Sequence, residues 1–446
     1  MWGHAVKGGR EGMETGFGAI GWRKWFHQGT GIKLIFLMGV YVTICGHPLF
    51  SCKDVFGNNY YVAPNGSDHN DGSLGRPWAT VQHGGMKARP GDTVFVRGGL
   101  YNEEEIWLRA DYGHGGTVGK LLTIQAYPGE RPVFVNPRRP VIIECDYIRI
   151  EGLHFKNGKS IGAGGFKRTT IQLVNNSFTG PDYAWDAIDV GGDNILLEGN
   201  ICDLSGNSMG TQGHCYYISH GSNITIRNNV AKGMTGYGIH VFDQRRSGDP
   251  PGFERLIKNV IIEGNVVSHS QQRSGIILAA YDHASIEGVI VKNNVVFNNP
   301  QSGIYIPGVV SNVKVYNNTL FGNGFTALGT DGSTREVTNV EIKNNIFDLT
   351  NSNSGAYHVF NEKGNTSLAL QNNLYWPKPL RLMKVSDSSP VIGDPHFVKP
   401  GEKDFHLLPG SAAINKGIPL GEVSYDKDGI KRPQSTAPDL GAFEFH

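Results

Sequence analysis

The segments ITIRNNVA (224–231), VIIEGNVV (260–267) and VIVKNNVV (289–296) decide how this chain folds. Each is an apolar-alternating strand, then a residue pair ending in Asn, then a second apolar strand. The phrase recurs as IQLVNNSF (171–178), ILLEGNIC (195–202), VKVYNNTL (313–320), VEIKNNIF (340–347) and LALQNNLY (368–375). The closing residues of the pairs are Asn176, Asn200, Asn229, Asn265, Asn294, Asn318, Asn345 and Asn373, separated by 24, 29, 36, 29, 24, 27 and 28 residues. Repeats of that length mark a solenoid. Period-two alternation argues for strands, and the Asn marks a bend whose side chain can satisfy backbone groups. Stacked coil on coil, the eight Asn residues would form an internal ladder. Neither the six-residue period of a left-handed hexapeptide helix nor the fixed leucines of a leucine-rich repeat are present. The expected fold is all-β, a right-handed parallel β-helix of three short strands and three turns per coil, with variable turns absorbing the uneven spacing.

Composition agrees. With 61 Gly in 446 residues, 18% charged and 39% hydrophobic residues, the chain suits many turns around one long thin core. A net charge of +1 gives no electrostatic case for nucleic acid as a partner. Of the five cysteines, Cys45 and Cys52 fall near the N-terminus. Cys145, Cys202 and Cys215 match no zinc spacing and are read as buried small hydrophobes.

Residues 1–52 read as a leader outside the fold. LIFLMGVYVTIC (34–45) is a short apolar run preceded by Arg23, Lys24 and Lys33 and followed by Gly46 and Pro48, the layout of a secretory signal. Leu49-Phe50-Ser51-Cys52 resembles a lipoprotein cleavage box, which makes Cys52 a candidate acyl anchor and the only expected membrane attachment. Export as a monomer is expected. Residues 53–391 are assigned to the β-helix and 392–446 to a C-terminal capping segment. Trp78 to Arg89 reads as a short helix that plugs the open end of the solenoid, although Gly84 and Gly85 weaken it. Asp68, Asn70 and Asp71 lack the bidentate acid that closes a calcium loop and read as a turn.

YYVAPNGSD (60–68), RPWATVQ (76–82), PGDTVFV (90–96), the repeated NN strands, and the tail segments GDPHFV (393–398), DFHLLPGSAAINKG (404–417) and PDLGAFEF (438–445) carry a resemblance. Over residues 60–446 the chain resembles the secreted right-handed parallel β-helix repeat proteins of the pectate-lyase-like superfamily. The resemblance implies the fold, and a superfamily of lyases, hydrolases, epimerases and members without known activity. It further implies that a substrate cleft runs along the outer face of the strand that opens each coil.

Here those strands are DAIDVGG (186–192), CYYISHG (215–221), YGIHVFD (237–243), SGIILAAY (274–281) and SGIYIPG (302–308). Alternation sends Ile188, Val190, Tyr216, Ile218, Ile239, Val241, Ile276, Leu278, Ile304 and Ile306 inward, and Asp189, Tyr217, His240, Ile277 and Tyr305 outward. Parallel stacking would bring Asp189, Tyr217 and His240 into one solvent-facing column of carboxylate, phenol and imidazole. His214, His220, Asp186, Asp243, Arg245, Arg246, Arg273, Tyr281 and His283 flank the column as candidate substrate contacts.

For a uronic-acid polysaccharide the roles follow from β-elimination. Arg245, Arg246 or Arg273 would bind the C5 carboxylate, His240 would take the C5 proton, Tyr217 would protonate the leaving oxygen, and Asp189 would orient one of them. Return of the proton from the opposite face would make the same site a C5 epimerase. Asp186, Asp189 and Asp243 would instead serve an inverting glycoside hydrolase. Outward Tyr217, Tyr281 and Tyr305 would suit a non-catalytic carbohydrate-binding scaffold. No cofactor is expected: many β-helix lyases use calcium with an Arg or Lys base, but this column offers neither a row of three acids nor a lysine.

Overall fold

The computed structural model describes residues 57–446 apart from 104–105, 136–140, 159, 182–185, 208–211, 245–254, 332–335, 366 and the side chains of 166–167. The leader, Cys52, Arg245 and Arg246 therefore lie outside the described residues.

The chain is a right-handed parallel β-helix. Strands such as Ile188–Glu198, Gly221–Arg227, Arg255–Glu263 and Ala284–Lys292 stack in register within a 21-stranded sheet. The short third strands of the coils form a separate 12-stranded sheet. The Asn at each bend between them is buried to within 1%. Its side-chain oxygen accepts from the backbone N–H and side-chain amide of the Asn one coil earlier: Asn229 N and Nδ2 reach Asn265 Oδ1 at 2.9 and 3.0 Å. Its own amide donates to a carbonyl across the bend, as Asn265 Nδ2 does to Ile226 O at 2.8 Å. The ladder runs from Leu153 N–H to Asp387, which accepts from Asn373 N, Asn373 Nδ2 and the Tyr375 hydroxyl. The residue before each ladder Asn has φ between 51° and 66°. Only Gly and Asn enter that left-handed region readily, which is why the pair reads NN or GN.

Inward positions make a continuous apolar core, and every side chain expected inside the opening strands is at most 1% exposed. In the third-strand sheet, Tyr101, Phe134, Phe155 and Phe178 stack at centroid spacings of 4.9, 5.3 and 5.0 Å. The next rung of this stack is Cys202, in register with Phe178. It forms a disulfide with Cys215, so the reading of these two as separate buried thiols is corrected; Cys145 is buried and free. The bridge ties a third strand to the strand that opens the next coil.

At the N-terminal end the helix is shorter than expected, Val81–Lys87, capped by Thr80. The first described strand is Asn59–Val62, paired in parallel with Thr93–Val96. A Cβ at Gly84 or Gly85 would stand 2.9 Å from Val94 or 2.5 Å from Leu108. The glycines that weaken the helix are what let it lie flat on the first coil. Asp68 serves the turn, accepting from Ala79 N, Thr80 N and Thr80 Oγ1.

The tail packs on the outer face of the 12-stranded sheet. Phe397, Phe405, Leu440 and Phe443 join Val295, Phe297, Phe321, Ile346 and Leu374 in a second apolar cluster. Asn344 holds it at both ends of its amide, donating to Ile418 O and accepting from Ile418 N.

Candidate functional site

The outward positions of the opening strands fall into one register. Asp189 pairs with Tyr217, Tyr217 with His240, His240 with Ile277, and Ile277 with Tyr305. Neighbouring rungs lie ~4.8 Å apart. Asp189 is exposed and Tyr217 half-buried. His240 is 8% exposed, which corrects the expectation that it faces solvent. It points away from the core, yet rings close over it: His214 at 4.5 Å, Tyr237 at 4.7 Å, Tyr217 at 4.9 Å and Phe242 at 5.0 Å between centroids.

This enclosure sets the protonation states. Burial, then the charges of His214 and Arg273, hold the His240 imidazole well below its ordinary pKa. Burial, with Arg273 adding, pushes His214 down to about 4. Both rings are neutral at neutral pH. His214 Nδ1 accepts from Tyr237 N–H at 2.8 Å, so its proton sits on Nε2. His240 Nδ1 is sealed from solvent with no hydrogen-bond partner among the described residues. Burial raises the Tyr237 phenol, which stays protonated.

Arg273 is half-buried and bears on all three of these groups. Its backbone is tied down, Arg273 N–H donating to Ser270 Oγ at 2.9 Å. Its guanidinium makes no ion pair among the described residues. At the other end of the column, burial and then Asp189 raise Asp186 to about 8, and one of its oxygens is sealed without a described partner. Asp186, half-buried, therefore holds its proton near neutrality beside the exposed Asp189.

Other candidates fall elsewhere. Asp243 is 1% exposed and forms an ion pair with Arg255 at 3.3 Å, both side chains being at most 3% exposed. Asp243 follows Val241 by two residues and so points inward, which corrects its assignment to the cleft. His220 lies over Gly191, where a Cβ would meet its ring at 2.1 Å. Tyr281 ends its strand exposed and His283 is on the exposed turn after it, and Tyr305 lies two coils beyond His240, its phenol raised by burial and by a bond to Asp331. The residues missed are Tyr237 and Phe242. Phe242 was legible, since it shares the outward alternation of His240; Tyr237 precedes the strand and carried no periodic signal. Among the described residues no group of three or more His, Cys, Asp or Glu side chains is disposed to hold a metal ion. In the column Asp189 stands between Gly162 and Tyr217, with the carboxyl of Asp186 near it.

Residues 60–345 match the family described as Pel9A-like, right handed beta helix region. Pectate lyase L of Paenibacillus polymyxa is 24% identical over 404 residues, 81% of this chain and 84% of the lyase. Protein YwoF of Bacillus subtilis is 27% identical over 254 residues, 56% of this chain; the match spans 44% of YwoF, under half its length. The crystal structure of pectate lyase Pel9A superposes with a TM-score of 0.58 at 18% identity, covering 88% of this chain and 97% of the lyase. With the coil geometry and the family match over most of the folded residues, the chain belongs to the Pel9A-like right-handed β-helix family.

Proposed function

We propose that this protein is an exported polysaccharide lyase that cleaves a uronic-acid-containing polymer by β-elimination. The observation that carries the reading is the Arg273 guanidinium, without an ion pair among the described residues, bearing on a neutral imidazole in the outward column. Kinship with a pectate lyase supports it and puts polygalacturonate first among substrates. The disulfide Cys202–Cys215 is consistent with export, since such bonds persist in oxidising compartments.

Arg273 receives the C5 carboxylate in a bidentate fork and stabilises charge spreading onto it as the C5–H bond weakens. His240 takes that proton at Nε2, which requires the Nδ1–H tautomer. The C5–H electron pair becomes the C4–C5 double bond, the C4–O4 bond breaks, and Tyr217 protonates the departing oxygen. Tyr237 and His214 hold the imidazole in place, His214 through its backbone-fixed tautomer. Asp189 orients Tyr217, its neighbour in register. Arg245 and Arg246, outside the described residues, remain proposed carboxylate ligands on the sequence reading alone. Proton return to the other face of C5 would give epimerisation instead.

The Asp186 and Asp189 pair favours a second reading, inverting hydrolysis, with protonated Asp186 as acid and Asp189 as base. Product chemistry on polygalacturonate and related uronans separates the two. Unsaturated ends that absorb in the ultraviolet identify a lyase, and saturated reducing ends identify a hydrolase. Arg273→Ala should lower kcat/KM by ~100-fold or more, the weight of one charge-assisted transition-state contact. Turnover unchanged in Arg273→Ala and in His240→Gln would remove the elimination assignment.

A further inference from the structure

On the third-strand sheet, a different face of the coil from the column, the last residues of successive strands form a register of Ser268, Phe297, Phe321, Asp348 and Trp376. The tail seals much of it, with Phe397 and Phe405 against Phe321 at 6.2 and 5.3 Å. Asp348 interrupts this apolar row. It is 3% exposed, accepts from Thr350 N–H at 2.7 Å, and makes no ion pair among the described residues. Burial, with Asp394 of the tail adding, raises it to about 6. A carboxyl group placed beside a second one in an aromatic row is unfavourable for stability alone.

What surrounds it gives it a use. Between this face and the tail lies a cavity of about 440 Å³, lined among others by Asp348, Trp376, Asp394, His396, His269 and Lys403. Its size falls in the range of small-ligand sites, and it joins an aromatic wall to a few convergent polar groups. An indole offers a flat apolar face to the C–H face of a pyranose, carboxylates accept from hydroxyls, and Lys403 and the imidazoles donate. Two carboxyl groups in so small a space disfavour a ligand that brings a third.

We infer that the cleft between the third-strand sheet and the C-terminal segment is a second saccharide-binding site that takes a neutral, hydroxyl-rich sugar unit, stacked on Trp376 and hydrogen-bonded to Asp348 and Asp394. It would anchor the protein on neutral portions of a polymer while the column face engages acidic ones. The site does not depend on the elimination chemistry.

The test is calorimetric titration of the full chain with galactobiose, arabinobiose and xylobiose, with digalacturonate as the acidic comparator. At least one neutral disaccharide should bind saturably. Asp394→Ala, a change at an exposed side chain, and Asp348→Asn should each weaken it by about tenfold or more, Trp376→Ala should abolish it, and His240→Gln in the other sheet should leave it unchanged. Absence of saturable binding by all three neutral probes, binding indifferent to Asp394→Ala, loss on His240→Gln, or equal affinity for digalacturonate would each overturn the inference. Loss of turnover in column variants with this binding intact would separate the two sites.

Discussion

The enclosure of the histidines makes a quantitative demand on stability. His214 is 3% exposed and titrates at about 4 in the folded protein, against about 6.5 in an unfolded chain. Between those values the unfolded chain binds a proton that the folded one refuses. Its contribution to stability is therefore complete above the unfolded pKa and is lost as pH falls toward the folded one. The linkage integral from about pH 7 to about pH 4 comes to ~3 kcal/mol for this one ring. Asp186 and Asp348, raised by burial, titrate in the opposite sense and would mask the effect in a single curve. Comparison with His214→Asn removes them, because both groups persist in the variant. Asn can keep an acceptor near Tyr237 N–H, the contact His214 Nδ1 now makes. Urea unfolding of both proteins across that range should show the wild-type advantage shrinking by ~3 kcal/mol on acidification. A difference that stays flat or widens as pH falls would show that the ring is not buried neutral, and the protonation states of the whole box would fail with it.

Asn265→Ala, in the middle of the ladder, would strand Asn229 N–H, Asn229 Nδ2 and Ile226 O in a dry interior; chemical denaturation should show a loss of ~3–5 kcal/mol. Opening the Cys202–Cys215 bridge with a double Ala substitution frees a segment of separation 13 and should destabilise by ~3 kcal/mol, seen as a lower midpoint than in the oxidised wild type. His240→Gln should reduce turnover on polygalacturonate by ~100-fold or more while leaving the circular dichroism spectrum unchanged, since an amide of similar reach fills the ring box. If Asp186 is the acid of a hydrolase, product formation should fall as pH rises through about 8; a lyase driven by neutral His240 should keep its rate there.

The coil architecture was legible because it is written in local chemistry repeated many times. The NN and GN pairs encode a left-handed bend followed by a ladder Asn, and eight copies fixed the stacking register, so the Asp189–Tyr217–His240 alignment could be read from alternation alone. The tail phrases have equally concrete causes. Arg432 pairs with Glu444 at 2.5 Å and also donates to Gly441 O, while Asp439 accepts from Asn415 N and Phe445 N, which gives Asp439 and Glu444 of PDLGAFEF their structural roles. What did not show was pairing between unlike segments. Cys202 and Cys215 are thirteen residues apart with no repeated signal, and only the coil's closure brings their Cα atoms to 5.8 Å. Alternation already puts Asp243 on the inward face with Ile239 and Val241; what it does not show is Arg255, at the start of the next strand, whose ion pair lets a carboxylate be buried there.

Alternation tells which side of a strand a residue occupies but not what the turns lay over it, and His240 is where that distinction has chemical consequences. An imidazole in open solvent would be half protonated near pH 6.5, whereas the rings of Tyr237, Phe242 and His214 keep this one neutral far below that. The same burial that keeps it available makes it a weaker proton acceptor, because the imidazolium it must become is the form the enclosure disfavours. Elimination at this site therefore cannot rest on base strength. The driving force has to come from the substrate's own carboxylate being drawn onto Arg273, which acidifies the adjacent C–H while placing a negative charge near the new imidazolium. An uncharged ester of the same sugar would lose both effects together. The argument accordingly requires that methyl-esterified polygalacturonate be turned over much more slowly than the free acid, and that Arg273→Ala erase most of that preference.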